Sequence, residues 1–215
     1  ICKEIIVACF NREEEQILCF RTQKEDFICL IQKLFVPLHP INYANFKNTF
    51  NMKNEELEKV LAIAEQWTKE PYDADTRAAV KAMIEAEDKT ELIDSFYRTL
   101  EFGTGGLRGL MGPGTNRMNQ YIVAQATQGY ANYLLKVQRE GGFTTLKGDT
   151  VSVVVGHDCR NNGRLFAETV AAVFAANGIK VYLFESLRPT PEVSFAIRHL
   201  SAQGGVNVTA SHNPK

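Results

Sequence analysis

The spacing of hydrophobic residues divides the chain into a helical stretch and a stretch in which strands and helices alternate. Between residues 54 and 100, apolar residues recur every three or four positions, which is typical of amphipathic helices. The same period continues after a glycine-rich interval, until Gly141 and Gly142 end it. The pattern predicts helices at about 54–68, 75–85, 90–100 and 119–140.

Beyond residue 150 the pattern changes to short apolar runs separated by helices. Val151–Val155 is almost continuously β-branched, as expected for a strand that is covered on both faces. Further strands are predicted at 179–184 and 206–209, and helices at 165–176 and 190–201. The order β-α-β-α-β predicts an α/β fold with a largely parallel sheet, right-handed crossovers and helices on the faces of the sheet.

The interval between the two stretches, EFGTGGLRGLMGPGTNRMN at 101–119, contains six glycines and predicts a loop. It fails the dinucleotide-binding fingerprint, because Arg108 stands where the third glycine is needed and the segment follows a helix. It also lacks the Gly-Lys-Ser/Thr of a Walker A loop. A flexible connector and a backbone cradle that holds phosphate around Arg108 both fit this pattern.

Polar residues follow each of the three predicted strands of the parallel sheet. Because the carboxyl ends of parallel strands meet at one edge, we expect these residues to lie together there. Arginines and hydroxyl groups at such an edge suit an anionic ligand such as phosphate. A turn with a structural Asp158–Arg160 salt bridge is the alternative for the first loop. The residues in question are His157, Asp158, Arg160, Arg188, Thr190, Ser211 and His212.

Ser211 and His212 invite comparison with the nucleophile and base of a hydrolase. No Gly-x-Ser-x-Gly elbow surrounds the serine, since Thr209 and Asn213 stand at the glycine positions. Adjacent residues also tend to point apart, so His212 is poorly placed to take the Ser211 proton. A serine on a tight turn among cations can instead carry phosphate covalently. An ordinary surface turn is the alternative.

Composition narrows the class of protein further. A net charge of −1 gives no electrostatic reason to expect nucleic acid or a membrane surface as partner. No apolar run approaches the roughly 20 residues that cross a bilayer. The five cysteines form no C-x-x-C pair and suit reduced thiols better than disulfides or zinc. We therefore expect a cytoplasmic protein.

Residues 1–51 differ abruptly from the rest of the chain. They contain four of the five cysteines and none of the 15 glycines. We infer that native translation begins at Met52 and that 1–51 are upstream sequence read in frame. A native helical arm, with an apolar stripe between Phe27 and Phe35, is the alternative. The expected organisation is this atypical segment at 1–51, a helical lead-in at 52–100 and an α/β domain at 101–215.

Four motifs in one order resemble the α-D-phosphohexomutase family, the phosphoglucomutases and phosphomannomutases. TASHNP at 209–214 is similar to the family's phosphoserine loop, and FGTGGLRG at 102–109 to its glycine-arginine motif. VVVGHDCR at 153–160 and RPTPEVSFA at 188–196 resemble two further family segments. Together the motifs cover residues 91–215, and the resemblance implies the first domain of a four-domain protein.

The resemblance implies a phosphosugar mutase that interconverts hexose 1-phosphate and hexose 6-phosphate, with glucose as the expected sugar. Ser211, as phosphoserine, would donate phosphate to the sugar, and a hexose 1,6-bisphosphate intermediate would return the other phosphate. Mg²⁺ would bind through the Ser211 phosphate. Arg108 would stabilise the transferring group and His212 would lie near the reacting hydroxyl, with a role in proton transfer. Arg160 and Lys215 would belong to the phosphate surroundings.

The family's magnesium loop, sugar-recognising loop and C-terminal phosphate-binding domain follow the serine loop and are absent from these 215 residues. We therefore expect residues 1–215 alone to be inactive and to need the C-terminal domains of the same chain as partners. A mutase for mannose, pentose or amino-sugar phosphates fits the same scaffold. A non-catalytic module that binds phosphosugars is the alternative from another functional class.

Overall fold

The computed structural model reveals two compact units, a helical unit at 54–97 and an α/β unit. The α/β unit combines residues 4–11 with the described residues from 98 onward. Among the residues described, no helix is both long and apolar enough to cross a membrane. The structure describes residues 4–11, 54–103, 106–143 and 150–210.

The helical unit contains the three short helices that the sequence predicts, α1 (Asn54–Gln66), α2 (Ala74–Glu85) and α3 (Thr90–Phe96). Asp73 caps α2, because its carboxylate accepts a hydrogen bond from the Thr76 amide at 2.8 Å. The core of the unit is aromatic and aliphatic. Its buried hydrophobic side chains, among the described residues, are Val60, Ala64, Trp67, Val80, Leu92 and Phe96.

The α/β unit is built on a six-stranded mixed sheet with the order β2-β3-β1-β6-β4-β5. Strands β5, β4 and β6 run parallel, whereas β1 is antiparallel to both β6 and β3, and β2 is antiparallel to β3. The predicted parallel β-α-β-α-β core is therefore confirmed, with an antiparallel part added to it. The strands are β1 (Glu4–Asn11), β2 (Phe102–Gly103), β3 (Gly106–Leu110), β4 (Ser152–His157), β5 (Lys180–Leu183) and β6 (Gly204–Thr209).

Three helices accompany the sheet, and all three were predicted. Asn119 caps the first, because its side-chain oxygen accepts the Ile122 amide at 3.0 Å while its side-chain nitrogen donates to carbonyls of the preceding loop. The last one begins with Pro191 in its first turn, where a missing amide hydrogen costs nothing. The helices are α4 (Gln120–Arg139), α5 (Gly163–Ala176) and α6 (Thr190–His199).

Strand β4 lies at the centre of the core, and all six of its residues are buried. Val154 packs against Val193 and Ile197 of α6, and strand alternation turns Val153 and Val155 to the other face. Gly156 lets α6 approach closely, because a Cβ there would lie 2.5 Å from the Val193 Cγ2 atom. This packing fixes the start of α6 against the carboxyl end of β4.

Three features differ from the sequence-based expectation. Residues 101–119 were predicted to be a loop, but this is wrong for 102–103 and 106–110, where β2 and β3 form an antiparallel pair. The strand predicted at 206–209 begins two residues earlier, at Gly204.

The third difference concerns the atypical segment at 1–51. Part of it forms strand β1, between β3 and β6, where neither a strand nor a sheet position was predicted. The proposed stripe from Phe27 to Phe35 lies outside the described residues. The hypothesis that translation begins at Met52 stays a prediction.

Candidate active site

The carboxyl ends of the parallel strands and the loops that follow them form one continuous edge. The amide of Asp158 donates to the Val208 carbonyl at 3.0 Å, which extends the β4–β6 pairing by one residue. The amide of Arg188 donates to the His157 carbonyl at 3.0 Å, which joins the loops after β5 and β4. The expectation that these loops lie together is therefore confirmed for the described residues.

Asp158 is the centre of the polar contacts at this edge. Its Oδ2 atom accepts a hydrogen bond of 2.6 Å from the Thr209 hydroxyl, and its Oδ1 atom accepts the Arg160 amide at 3.0 Å. The Arg160 Nε atom lies 3.7 Å from Oδ2, and the Arg160 side chain is only 9% exposed. The predicted Asp158–Arg160 pair exists, and it is coupled to the end of β6.

A second polar contact lies on the same face of β6. Asn207, which is fully buried, donates from Nδ2 to the Thr190 hydroxyl at 2.7 Å. Asn207 and Thr209 are two residues apart on the strand, so both side chains point to the α6 side. Asn207 was not among the predicted site residues. The sequence feature that could have indicated a role for Asn207 and Thr209 is the alternation of these polar residues with valines in a covered strand.

Arg108 reaches the same edge through the antiparallel part of the sheet. Ile6 of β1 is paired with Arg108 of β3 on one side and with Thr209 of β6 on the other. Two strand spacings separate Arg108 from Thr209, which is roughly 9–10 Å between main chains. Arg108 is exposed, as a residue that contacts a soluble anion should be.

Arg188 and His157 lie at the edge but are held by local contacts. The Arg188 guanidinium donates to the Ser186 hydroxyl and the Leu187 carbonyl, both at 2.7 Å, and pairs with Glu192 at 3.0 Å. His157 is buried in β4 with its Nδ1 atom 3.0 Å from the Asp158 carbonyl oxygen. The Arg188 side chain therefore organises its own loop, whereas the buried Nε2 atom of His157 has no hydrogen-bond partner among the described residues.

Ser211, His212 and Lys215 lie outside the described residues, so their assigned roles stay predictions. Chain continuity nevertheless limits the position of the serine. Ser211 is two residues after Thr209, whose hydroxyl is held by Asp158. The serine main chain is therefore at most about 7 Å from that of Thr209.

No group of three or more histidine, cysteine, aspartate or glutamate side chains in the described part of the chain could hold a metal ion. Asp158, the carboxylate at the edge, is already engaged by Thr209 and Arg160. The described residues therefore do not by themselves fit Mg²⁺. The metal expectation rests on the Ser211 phosphate alone.

Comparison with protein families agrees with this geometry. Residues 99–215, more than half of the chain, match the phosphoglucomutase/phosphomannomutase alpha/beta/alpha domain I. The chain belongs to this family. The phosphoglucomutase/phosphomannomutase match begins just before β2 and includes every element of the α/β unit except β1.

Relatives of this chain carry names of two kinds, some for ribose or pentose and others for glucose. The chain is 41% identical to a probable phosphoribomutase of Schizosaccharomyces pombe over 152 residues, or 71% of this chain and 25% of that protein. It is also 41% identical to human phosphopentomutase over 156 residues, or 70% and 24%. A phosphoglucomutase of Staphylococcus epidermidis is 39% identical over 136 residues, or 63% and 23%.

The chain spans about a quarter of the length of these phosphoglucomutase/phosphomannomutase relatives. No solved structure matches the chain. The roles of individual residues in this family member are therefore supported by the contacts that they make at the strand edge.

Proposed function

We propose that this chain supplies the phosphate-carrying domain of a phosphosugar mutase, with Ser211 as the carrier. One observation carries the proposal. The residue two positions before Ser211 is hydrogen-bonded to Asp158 at an edge that also holds the buried Arg160 and, in register, Arg108. A serine delivered to that edge would lie among fixed cations, which is what phosphoryl transfer requires.

The proposed reaction proceeds through two transfers. The phosphorus–oxygen bond of phosphoserine 211 breaks as the free hydroxyl of a sugar monophosphate forms a new bond to phosphorus, and the proton of that hydroxyl ends on the Ser211 oxygen. The resulting bisphosphate reorients, and its other phosphate returns to the Ser211 oxygen, which releases the isomeric monophosphate. Arg108 would stabilise the charge on the transferring group. His212 would lie beside the reacting hydroxyl, and Arg160 and Lys215 would surround the phosphates.

Further components of the proposal lie beyond the described residues. Mg²⁺ would reduce the repulsion between two anionic groups and would be held by the Ser211 phosphate and by residues outside this sequence. The remaining walls of the site would come from the C-terminal domains of the same chain. The free, exposed thiol of Cys159 is compatible with the cytoplasmic location expected from the composition.

The sugar is the open part of the proposal. The sequence resemblance favours glucose phosphates, whereas two of the similar relatives are named for ribose or pentose. Steady-state kcat/KM values of the full-length protein for glucose 1-phosphate and ribose 1-phosphate would decide between them. Sugar phosphate binding without conversion of either would instead favour a non-catalytic binding module.

The carrier assignment predicts that Ser211→Ala abolishes turnover in the full-length protein. Loss of the nucleophilic oxygen should lower kcat by at least about a thousandfold while circular dichroism stays unchanged. Ser194→Ala, which removes an α6 hydroxyl that accepts a hydrogen bond from Arg198, is the matched control and should retain activity. Near-normal turnover in the Ser211 variant would rule out the phosphoserine mechanism.

A further inference from the structure

The contact between Asp158 and Thr209 joins the loop after β4, which carries Arg160, to the end of β6, where the serine loop begins. We propose that Asp158 is a positioning residue for Ser211, which acts by fixing Thr209 and thereby the first residues of the serine loop. This inference rests on the proposed function, because it assigns Asp158 a role in the same phosphoryl transfer. Asp158 itself takes no part in the bonds that form and break.

Asp158 holds two consecutive residues of β6. Its amide donates to the Val208 carbonyl at 3.0 Å, and its carboxylate accepts the Thr209 hydroxyl at 2.6 Å. One contact is made by the main chain and the other by a side chain. Together they restrain both the position of the strand end and its rotation about the strand axis.

The carboxylate that makes this contact is itself oriented. Its other oxygen accepts the Arg160 amide at 3.0 Å, and the Arg160 guanidinium lies beside it at 3.7 Å. A hydroxyl that donates to an ionised carboxylate forms a short, strong hydrogen bond, in agreement with the 2.6 Å distance. Asp158 therefore holds the end of β6 in a fixed position relative to the loop after β4, which carries Arg160.

One residue, Ala210, separates Thr209 from the serine in the sequence. Ala210 is completely buried, and the fully buried Asn207 ties the preceding part of the strand to Thr190. A displacement of Thr209 therefore carries over to Ser211, whose oxygen must approach phosphorus in line. Misplacement of a reacting atom by about 1 Å can lower a rate by on the order of 100-fold.

The test replaces the hydroxyl while preserving the shape of the side chain. In the full-length protein, Thr209→Val should lower kcat by on the order of 10- to 100-fold, with KM for the sugar phosphate changed less than about twofold. Thr209→Ser, which keeps the hydroxyl, should restore most of the rate. A role in packing alone predicts the opposite order, because valine fills the space better than serine does.

Asp158→Ala and the Asp158→Ala/Thr209→Val double variant test whether the two residues act together. The double variant should be no slower than Asp158→Ala alone, because both changes remove the same contact. Ser152→Ala is the matched control. Ser152 contacts Gln203 across the same two strands at their opposite end, with the same sequence separation of 51 residues. Its loss should leave kcat unchanged.

Hydrogen exchange provides a measurement that does not depend on activity. Thr209→Val should speed amide exchange in a peptide that covers 206–215, whereas Ser152→Ala should not. Wild-type kcat and wild-type exchange in Thr209→Val would overturn the positioning role. If the wild-type protein has no mutase activity, or if Ser211→Ala keeps it, the proposed function fails, and the exchange experiment still decides whether Asp158 fixes the strand end.

Discussion

Strands β4 and β6 are joined by side chains at both ends, and the two ends differ in chemistry. At the amino end, Gln203 accepts hydrogen bonds from the Ser152 amide at 2.8 Å and from its hydroxyl at 3.3 Å. At the carboxyl end, Asp158 accepts the Thr209 hydroxyl at 2.6 Å. Both contacts cross the same pair of parallel strands.

The two ends differ in charge and in access to solvent. Gln203 is neutral and only 2% exposed, and its side-chain oxygen satisfies the buried amide and the hydroxyl of Ser152. The Asp158 side chain is ionisable, 22% exposed and paired with Arg160. Because strand pairing is alike at both ends, the sheet does not require a charged contact at one of them. The charge at the carboxyl end agrees with the phosphate site proposed there.

Among substitutions at the two ends, those of the exposed arginines should differ most in their effect on kcat/KM. In the full-length protein, Arg108→Ala should lower kcat/KM by on the order of 100- to 1,000-fold, because a cation that stabilises the transferring phosphate is lost. Steady-state kinetics with the better sugar 1-phosphate measures this. Arg108→Lys should recover only part of the loss, since lysine lacks the planar fork of donors.

Arg198 supplies the control for Arg108. It lies in the last turn of α6, which runs back toward the amino end of the sheet, and its guanidinium donates to Ser194 at 3.0 Å. Arg198→Ala should leave kcat/KM within about twofold of the wild type. Equal losses in the two variants would contradict the assignment of Arg108 to the phosphate.

At the amino end, the expected loss is in stability instead of turnover. Gln203→Ala would leave the buried Ser152 amide without its side-chain acceptor, which costs about 1–3 kcal/mol in the free energy of unfolding. Urea unfolding of the α/β unit, followed through hydrogen exchange of β4, should shift to lower urea while kcat stays unchanged. A loss of kcat with unchanged stability would mean that the two ends are not functionally distinct.

The helices and parallel strands of the fold could be predicted because their signals are local. Val151–Val155 and the three- to four-residue spacing before Leu100 each identify an element within one short window. Strands β1, β2 and β3 could not be predicted in this way. Glycine-rich β2 and β3 have low strand propensity, and their pairing with each other and with β1 is a non-local property.

The candidate site was predictable as a region but not as a set of contacts. Parallel topology places Asp158, Arg160 and Thr190 at one edge, as the sequence indicated. The bond between Asp158 and Thr209 depends on strand register across 51 residues, which no local pattern reports. Arg188 lies at the predicted edge and is a residue type that binds anions, but its guanidinium already contacts Glu192 and the Ser186 hydroxyl.

The smallest expected effect tests whether a threonine–aspartate contact matters by itself or only at the ligand edge. In the helical unit, the Thr90 hydroxyl donates to Asp88 at 2.6 Å, the same distance as in the Thr209–Asp158 contact, but both residues are exposed. The Thr90 hydroxyl and then the Thr90 amide hold the pKa of Asp88 below its usual range. A lowered carboxyl pKa stabilises the fold above about pH 4, and this contribution is lost as the pH falls through the lowered pKa.

Thr90→Val removes only the larger of the two causes, so the pKa of Asp88 should rise toward its usual range without reaching it. Carboxyl NMR titration of the wild type and the variant measures this change. The thermal midpoint should fall slightly at pH 7 and converge with that of the wild type near pH 2, where Asp88 is protonated in both. Activity should not change, because solvent screens an exposed contact and no reacting group depends on it. A kcat loss comparable with that of Thr209→Val would mean that the position of such a contact at the sheet edge is irrelevant.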